Sequence, residues 1–122
     1  PAFRERHVGV FEGLTQAEAR IRYPELWARN ITRRWDEAPT DGESLDAVIA
    51  RVSSGLITLA DEARGERVLL VAHGVVAKVI RALTSSGFAD FFEWQLHNGG
   101  RLVVNIPQAQ SPIRFHRPAG QD

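Results

Sequence analysis

The stretch Val68-Leu69-Leu70-Val71-Ala72-His73-Gly74, followed by VVAKVIRALTS at 75–85, decides how this sequence is read. Five consecutive apolar residues, bounded by Glu66-Arg67 before and His73-Gly74 after, show no helical period. A run of this kind predicts a strand covered on both faces, as in a sheet flanked by helices. The pattern at 75–85 is helical again, and Gly87 ends it. Upstream, Leu45, Val48, Ile49, Val52, Leu56 and Leu59 recur at three- and four-residue steps, which predicts a helix as far as Ala63 with a stop at Arg64-Gly65. Downstream, HNGG at 97–100 is a turn and RLVVNIP at 101–107 reads as a second strand stopped by Pro107. PIRFHR at 112–117 reads as a short edge strand, since Pro112 at its start costs no ladder bond. Helix, strand, helix and strand in this order predict an α/β fold.

The amino-terminal third is less regular. Residues 1–14 are punctuated by Gly9 and Gly13 and read as an irregular loop. Thr15 stands three residues before Glu18, a capping-box spacing for a helix over TQAEARIRY. After Pro24, PELWARNITRRW sets Leu26, Ile31 and Trp35 on a loosely helical stripe, and EAPTDGES is turn-rich. Thr40 and Glu43 repeat the capping-box spacing ahead of the long helix. FADFFEWQL at 88–96 reads as a helical turn leading into extended chain. There is no internal repeat, low-complexity tract or linker, so residues 1–122 are expected to form one domain.

Composition excludes several classes. With 15 basic and 15 acidic residues the formal charge is zero, which argues against bulk electrostatic binding to nucleic acid or to an anionic membrane. The absence of cysteine removes disulfide frameworks and thiolate metal sites. VLLVA is too short to span a bilayer, and no charged-then-apolar leader opens the chain, so a soluble, cytoplasmic protein is expected. Lys78 is the one lysine among the basic residues; the others are arginine, each a fixed-charge forked anion binder. The chain starts at Pro1 and holds no methionine, and it reads as part of something longer.

Among the residues able to do chemistry, His73 is the most informative. It follows the apolar run and precedes Gly74 and a helix. Ligands of open α/β sheets bind outside the carboxyl ends of strands, and a helix N-terminus offers free N–H groups to an anion. An imidazole there could donate to a phosphoryl oxygen, although a half-buried histidine capping the turn explains the position equally well. Glu5 lies between Arg4 and Arg6, with His7 next. A carboxyl among anion binders suits a proton donor, while RERH alone also fits a solvated surface run. Glu12 has the same ambiguity, and Arg33-Arg34 could grip an anion or simply face solvent. Arg81 reads as surface, and His97 and His116 lack supporting spacing. No HExxH, His-rich tract or carboxylate cluster suggests a metal, and no GxGxxG or P-loop suggests a nucleotide.

Taken together, these residues resemble a known family. Arg4-Glu5-Arg6-His7-Val8-Gly9-Val10-Phe11-Glu12-Gly13-Leu14-Thr15 resembles the ERHxG…EGLT stretch of the histidine phosphatase superfamily, the phosphoglycerate mutase-like proteins. Tyr23-Pro24, Trp27 and Asp41-Gly42-Glu43-Ser44 follow in that family's order. Residues 68–74 with Ile80-Arg81-Ala82-Leu83 resemble its second histidine motif, and Asn98-Gly99 its late asparagine turn. The resemblance implies a three-layer α/β/α sheet and phosphoryl transfer through a phosphohistidine, with no metal and no cofactor. A first histidine attacks the phosphoryl group. Glu5 matches the acid that protonates the leaving oxygen, and His73 the second histidine that donates to the equatorial oxygens. Arg6, His7, Gly74 and Asn98 match the substrate side of the pocket.

The sequence also departs from that family. The opening strand with its Arg-His-Gly motif is not matched, because Arg6-His7-Val8-Gly9 is split by an extra residue and no apolar strand precedes it. The segment that supplies a second phosphate-binding arginine is unmatched too. The expected sheet is therefore incomplete, with its opening central strand absent beside 68–72, and the chain reads as the carboxyl-terminal portion of a phosphatase. The short connection from Arg34 to Gly42 favours a phosphatase of small phosphomonoesters over a mutase. The alternatives are a phosphoglycerate mutase, or a non-catalytic remnant that binds a phosphate-bearing ligand or a partner. A bare edge beside 68–72 would favour a homodimer or capture of a complementing amino-terminal segment.

Overall fold

The computed structural model describes residues 2–97 and 99–106. Its helices are α1 (Gln16–Arg22), α2 (Pro24–Ala28), α3 (Leu45–Glu62) and α4 (Gly74–Arg81), with short 3-10 turns at Gly9–Phe11 and Ile31–Arg33 and a π-helical turn at Ala82–Ser86. The chain divides into two compact units, Arg6–Val48 on the one hand and Pro1–Glu5 with Ile49–Asp122 on the other.

Within Arg6–Val48, the capping box expected at Thr15 is present. The Thr15 hydroxyl accepts the Glu18 N–H at 3.1 Å, and the Glu18 carboxylate accepts the Thr15 N–H at 3.2 Å. Pro24 opens α2, where a missing N–H leaves no bond unmade. The expected helix over 24–35 breaks after Ala28, because Asn30 takes a left-handed backbone, φ 51°, before the Ile31–Arg33 turn. Asparagine tolerates that conformation better than other side chains. The core of this unit is Phe11, Ala19 and Ile31, with Val8, Val10, Leu14, Tyr23, Leu26 and Trp27 packed against them. Phe11 meets Tyr23 and Trp27 edge to face, at 5.7 and 6.5 Å between ring centroids.

Two backbone loops in this unit approach so closely that only glycine fits. A Cβ on Gly9, at φ 57°, would lie 1.9 Å from the Thr40 carbonyl oxygen, and one on Gly42 would lie 2.8 Å from the Gly9 nitrogen. The Val10 N–H donates to the same Thr40 oxygen at 3.0 Å. The long helix starts at Leu45, where the Ser44 hydroxyl accepts the Ala47 N–H at 3.1 Å. The cap is therefore Ser44, and the spacing of Thr40 and Glu43 marks no helix start.

In the other unit, the expected apolar stripe of α3 is buried at Val52 and Leu56, and α4 buries Val76, Val79 and Ile80 at helical spacing. Beyond the π-helical turn, Phe88 and Phe91 are buried. Lys78 lies 5.1 Å over the Phe91 ring, and the Arg81 guanidinium 4.5 Å over Trp94. Arg81 also grips both Asp90 oxygens at 3.1 Å, so it is a structural clamp where the sequence suggested plain surface. Residues 2–5 lie along α3: Arg51 donates to the Ala2 and Glu5 carbonyls at 2.9 and 3.2 Å, and Ala2 and Phe3 fill the space a Cβ on Gly55 would need.

The α/β expectation is corrected here. Among the described residues there is no β-strand, and so no three-layer sheet. Residues 68–72 and 101–106 carry no regular structure, and Leu69, Val71 and Val103 are 84–85% exposed. A strand is held by ladder bonds to a neighbour and by covered faces, and no described segment supplies either to 68–72. Local composition therefore could not produce a strand by itself. The edge strand expected at 112–117 lies outside the described residues. No helix is long and apolar enough to cross a membrane among the described residues.

Two outcomes are expected. Leu56→Ala, at a site 1% exposed, should lower unfolding stability by about 2–5 kcal/mol in denaturant melts. The Asp90 carboxyl is held below its ordinary value by the hydrogen bond from Arg81, despite some desolvation. Its contribution to stability is then present above the ordinary aspartate range and is lost as pH falls through the lowered value. An NMR titration should give Asp90 a midpoint under that of a free aspartate, and Arg81→Met should raise it.

Candidate functional site

Three of the residues nominated from the sequence, Glu5, His73 and Gly74, lie at the amino end of α4. His73 is the residue before the helix, with extended backbone at φ −121° and ψ 171°, and its side chain makes no capping bond. Gly74 follows as the first helical residue. A helix that begins without a side-chain cap leaves its leading N–H groups and positive dipole end open to an anion. The Glu5 carboxylate meets them: its Oε2 accepts the Val75 N–H at 3.2 Å. A Cβ on Gly74 would come within 3.8 Å of the same oxygen, so glycine keeps this approach uncrowded. The Glu5 backbone is held by the Arg51 guanidinium, while the His73 ring is exposed to solvent and its carbonyl accepts the Ala77 N–H at 2.8 Å.

Three sequence-nominated residues, Glu5, His73 and Gly74, thus meet at one helix end although they are nearly seventy positions apart. Two residues that the sequence did not single out complete the arrangement. Arg51 tethers the backbone that carries Glu5, and the Val75 amide anchors its carboxylate. Neither has a motif signature, because one acts through carbonyls 46–49 positions away and the other through its backbone.

Arg6 and His7 belong to the Arg6–Val48 unit. Arg6 is 6% exposed, and its guanidinium donates to the Glu43 carbonyl at 3.0 Å and the Thr32 carbonyl at 2.7 Å. Those bonds tie residue 6 to the turns at 32 and 43. His7 is exposed; its N–H donates to the Glu43 carboxylate at 2.9 Å, and its Nδ1 accepts the Gly9 N–H at 3.1 Å. In the neutral ring that bond leaves the proton on Nε2. Glu12 accepts the Val8 N–H at 2.8 Å and so braces the same loop. Arg34 donates to the Arg29 carbonyl at 3.1 Å, and Arg29 pairs with Glu37. Asn98 lies outside the described residues. No cluster of three metal-ligating side chains occurs among the described residues.

Comparison with known proteins bears on this arrangement. Residues 1–116 match the histidine phosphatase superfamily (branch 1). The chain is 38% identical over 76 residues to a phosphoglycerate mutase-like protein 4 of Arabidopsis thaliana, covering 62% of this chain and 33% of that protein. It is 37% identical over 81 residues to a metal-independent phosphoserine phosphatase of the same plant, covering 66% and 34%. To a 2,3-bisphosphoglycerate-dependent phosphoglycerate mutase of Methylobacterium sp. (strain 4-46) it is 39% identical over 99 residues, covering 76% and 48%. The chain thus spans between a third and a half of the length of these relatives. No solved structure matches. A match over nearly the whole chain, running through both the Glu5 loop and the His73 turn, makes this chain a member of the histidine phosphatase superfamily, branch 1.

Proposed function

We propose that the protein carrying this chain is a phosphatase of small phosphomonoesters that works through a phosphohistidine, with Glu5 as proton donor and His73 as donor to the phosphoryl oxygens. The observation that supports this reading is the Glu5 carboxylate on the Val75 amide, at the helix end that His73 precedes. Helix N-termini bind phosphate through these same groups. A phosphoryl group arriving there meets the carboxylate, and a proton on Glu5 removes the repulsion; the protonated form is the one a general acid requires. The attacking histidine of the family's Arg-His-Gly motif matches none of the four histidines here, so the reading assigns the attack to a histidine outside this chain's motifs. Its ring nitrogen forms the bond to phosphorus, the ester P–O bond breaks, and the leaving oxygen takes the Glu5 proton. Water then attacks the phosphohistidine, returns a proton to Glu5 and releases phosphate. His73 donates to the equatorial oxygens in both steps, where negative charge builds.

A mutase is the second reading, favoured by the relatives that carry that name. It differs in the acceptor that reaches the phosphohistidine, a substrate hydroxyl instead of water. The short Arg34–Gly42 connection supports the phosphatase. Phosphate release from phosphoserine and p-nitrophenyl phosphate, measured beside phosphoryl shift in 3-phosphoglycerate, separates the two. Glu5→Gln and His73→Ala in the full-length protein should each lower turnover by roughly 10²–10⁴-fold; unchanged turnover in both would overturn the assignment. In the 122-residue chain, Glu5→Gln should also move the Val75 amide proton resonance upfield, since a charged acceptor is replaced by a neutral one.

A further inference from the structure

We propose, on the assignment of Glu5 as proton donor, that Arg51 is a positioning residue for the reaction, holding the Glu5 backbone where the carboxyl can protonate a basic leaving group. Arg51 stands half-buried on α3, and Gly55 follows four residues later on the same helix face. Together they seat residues 2–5. A Cβ on Gly55 would lie 2.7 Å from the Ala2 Cβ and 3.0 Å from the tip of the Phe3 ring, so glycine lets the segment lie this close. The Arg51 guanidinium forks across the same segment. Its two terminal nitrogens donate to the Ala2 carbonyl at 2.9 Å and the Glu5 carbonyl at 3.2 Å. A planar fork fixes two carbonyls three residues apart at once, which the point charge of a lysine does not.

Both of these bonds end on backbone, so what they fix is the main chain of Glu5. From there its side chain reaches the Val75 N–H, which lies 3.2 Å from Oε2, at the long end of the hydrogen-bond range. A displacement of about 1 Å breaks a bond of that length and slows a proton transfer that depends on it. The Glu5 proton is needed most where the departing oxygen is a strong base. Phenoxide is the stronger base beside p-nitrophenolate, whose nitro group spreads the charge. Misplacing Glu5 therefore penalises phenyl phosphate more than p-nitrophenyl phosphate. Mere loss of folded protein lowers both alike.

Values of kcat/KM for these two esters in the full-length protein test the role, since they report the step in which the ester bond breaks. Arg51→Met should lose roughly tenfold more with phenyl phosphate than with p-nitrophenyl phosphate, and Arg51→Lys should fall between it and wild type. Added to Glu5→Gln, Arg51→Met should widen the gap no further, because it acts through the same carboxyl. In the 122-residue chain, Arg51→Met should move the Val75 amide proton upfield, toward its position in Glu5→Gln. Equal losses on the two esters in Arg51→Met, beside unequal losses in Glu5→Gln, would overturn the role of Arg51 alone, as would an unmoved Val75 resonance. Equal losses in Glu5→Gln, or no turnover of either ester by wild type, would overturn the assignment of Glu5 and the role of Arg51 with it.

Discussion

A helix that starts on glycine, with no side-chain cap, leaves its first amides to whatever anion can reach them. In this chain the Glu5 carboxylate reaches the Val75 amide, and the functional reading depends on that contact. It gathers three requirements at one point. α4 must begin where it does, which follows from Gly74 and the buried Val76, Val79 and Ile80. Residues 2–5 must lie along α3, which the Arg51 guanidinium secures. His73 must come immediately before the helix, which it does on extended backbone, with no capping bond from its side chain. A carboxylate and a histidine position then share the positive end of a helix dipole, the setting that the proposed phosphoryl chemistry calls for.

The Arg6–Val48 unit shows a different economy, in which polar groups organise loops. Arg6 spends its guanidinium on two backbone carbonyls, and the Glu43 and Glu12 carboxylates accept backbone amides of residues 7 and 8. Gly9 and Gly42 let two backbone segments touch. The RERH run that could pass for a solvated surface stretch therefore contains a buried arginine and a loop fixed at several points. The signal for this was in the sequence only as a resemblance, since charge-dense composition alone says nothing about carbonyl partners.

Legibility followed the range of the interactions involved. The Thr15 capping box, the buried stripe of α3 and the start of α4 were readable, because each depends on residues within about one or two turns. The cap at Ser44 was misplaced onto Thr40, since two eligible residues lie close together and only backbone geometry separates them. The break at Asn30 was missed because an apolar stripe at helical spacing tolerates a left-handed residue without losing its periodicity. The strand at 68–72 failed for a deeper reason: the apolar run states what the segment would bury, while strand structure requires a neighbour that composition cannot supply.

Sequence by itself determined the helices with strong period, the family resemblance and the residue types available for phosphoryl chemistry. It determined these because helix propensity, capping and motif identity are local properties of the chain. Tertiary structure alone decided that Glu5 meets the amino end of α4, that Arg51 holds it there and that Arg6 is buried on carbonyls. It also decided that 68–72 stands bare among the described residues. Each of these is a contact between groups tens of residues apart, fixed by packing and hydrogen-bond satisfaction, and no spacing rule along the chain encodes it.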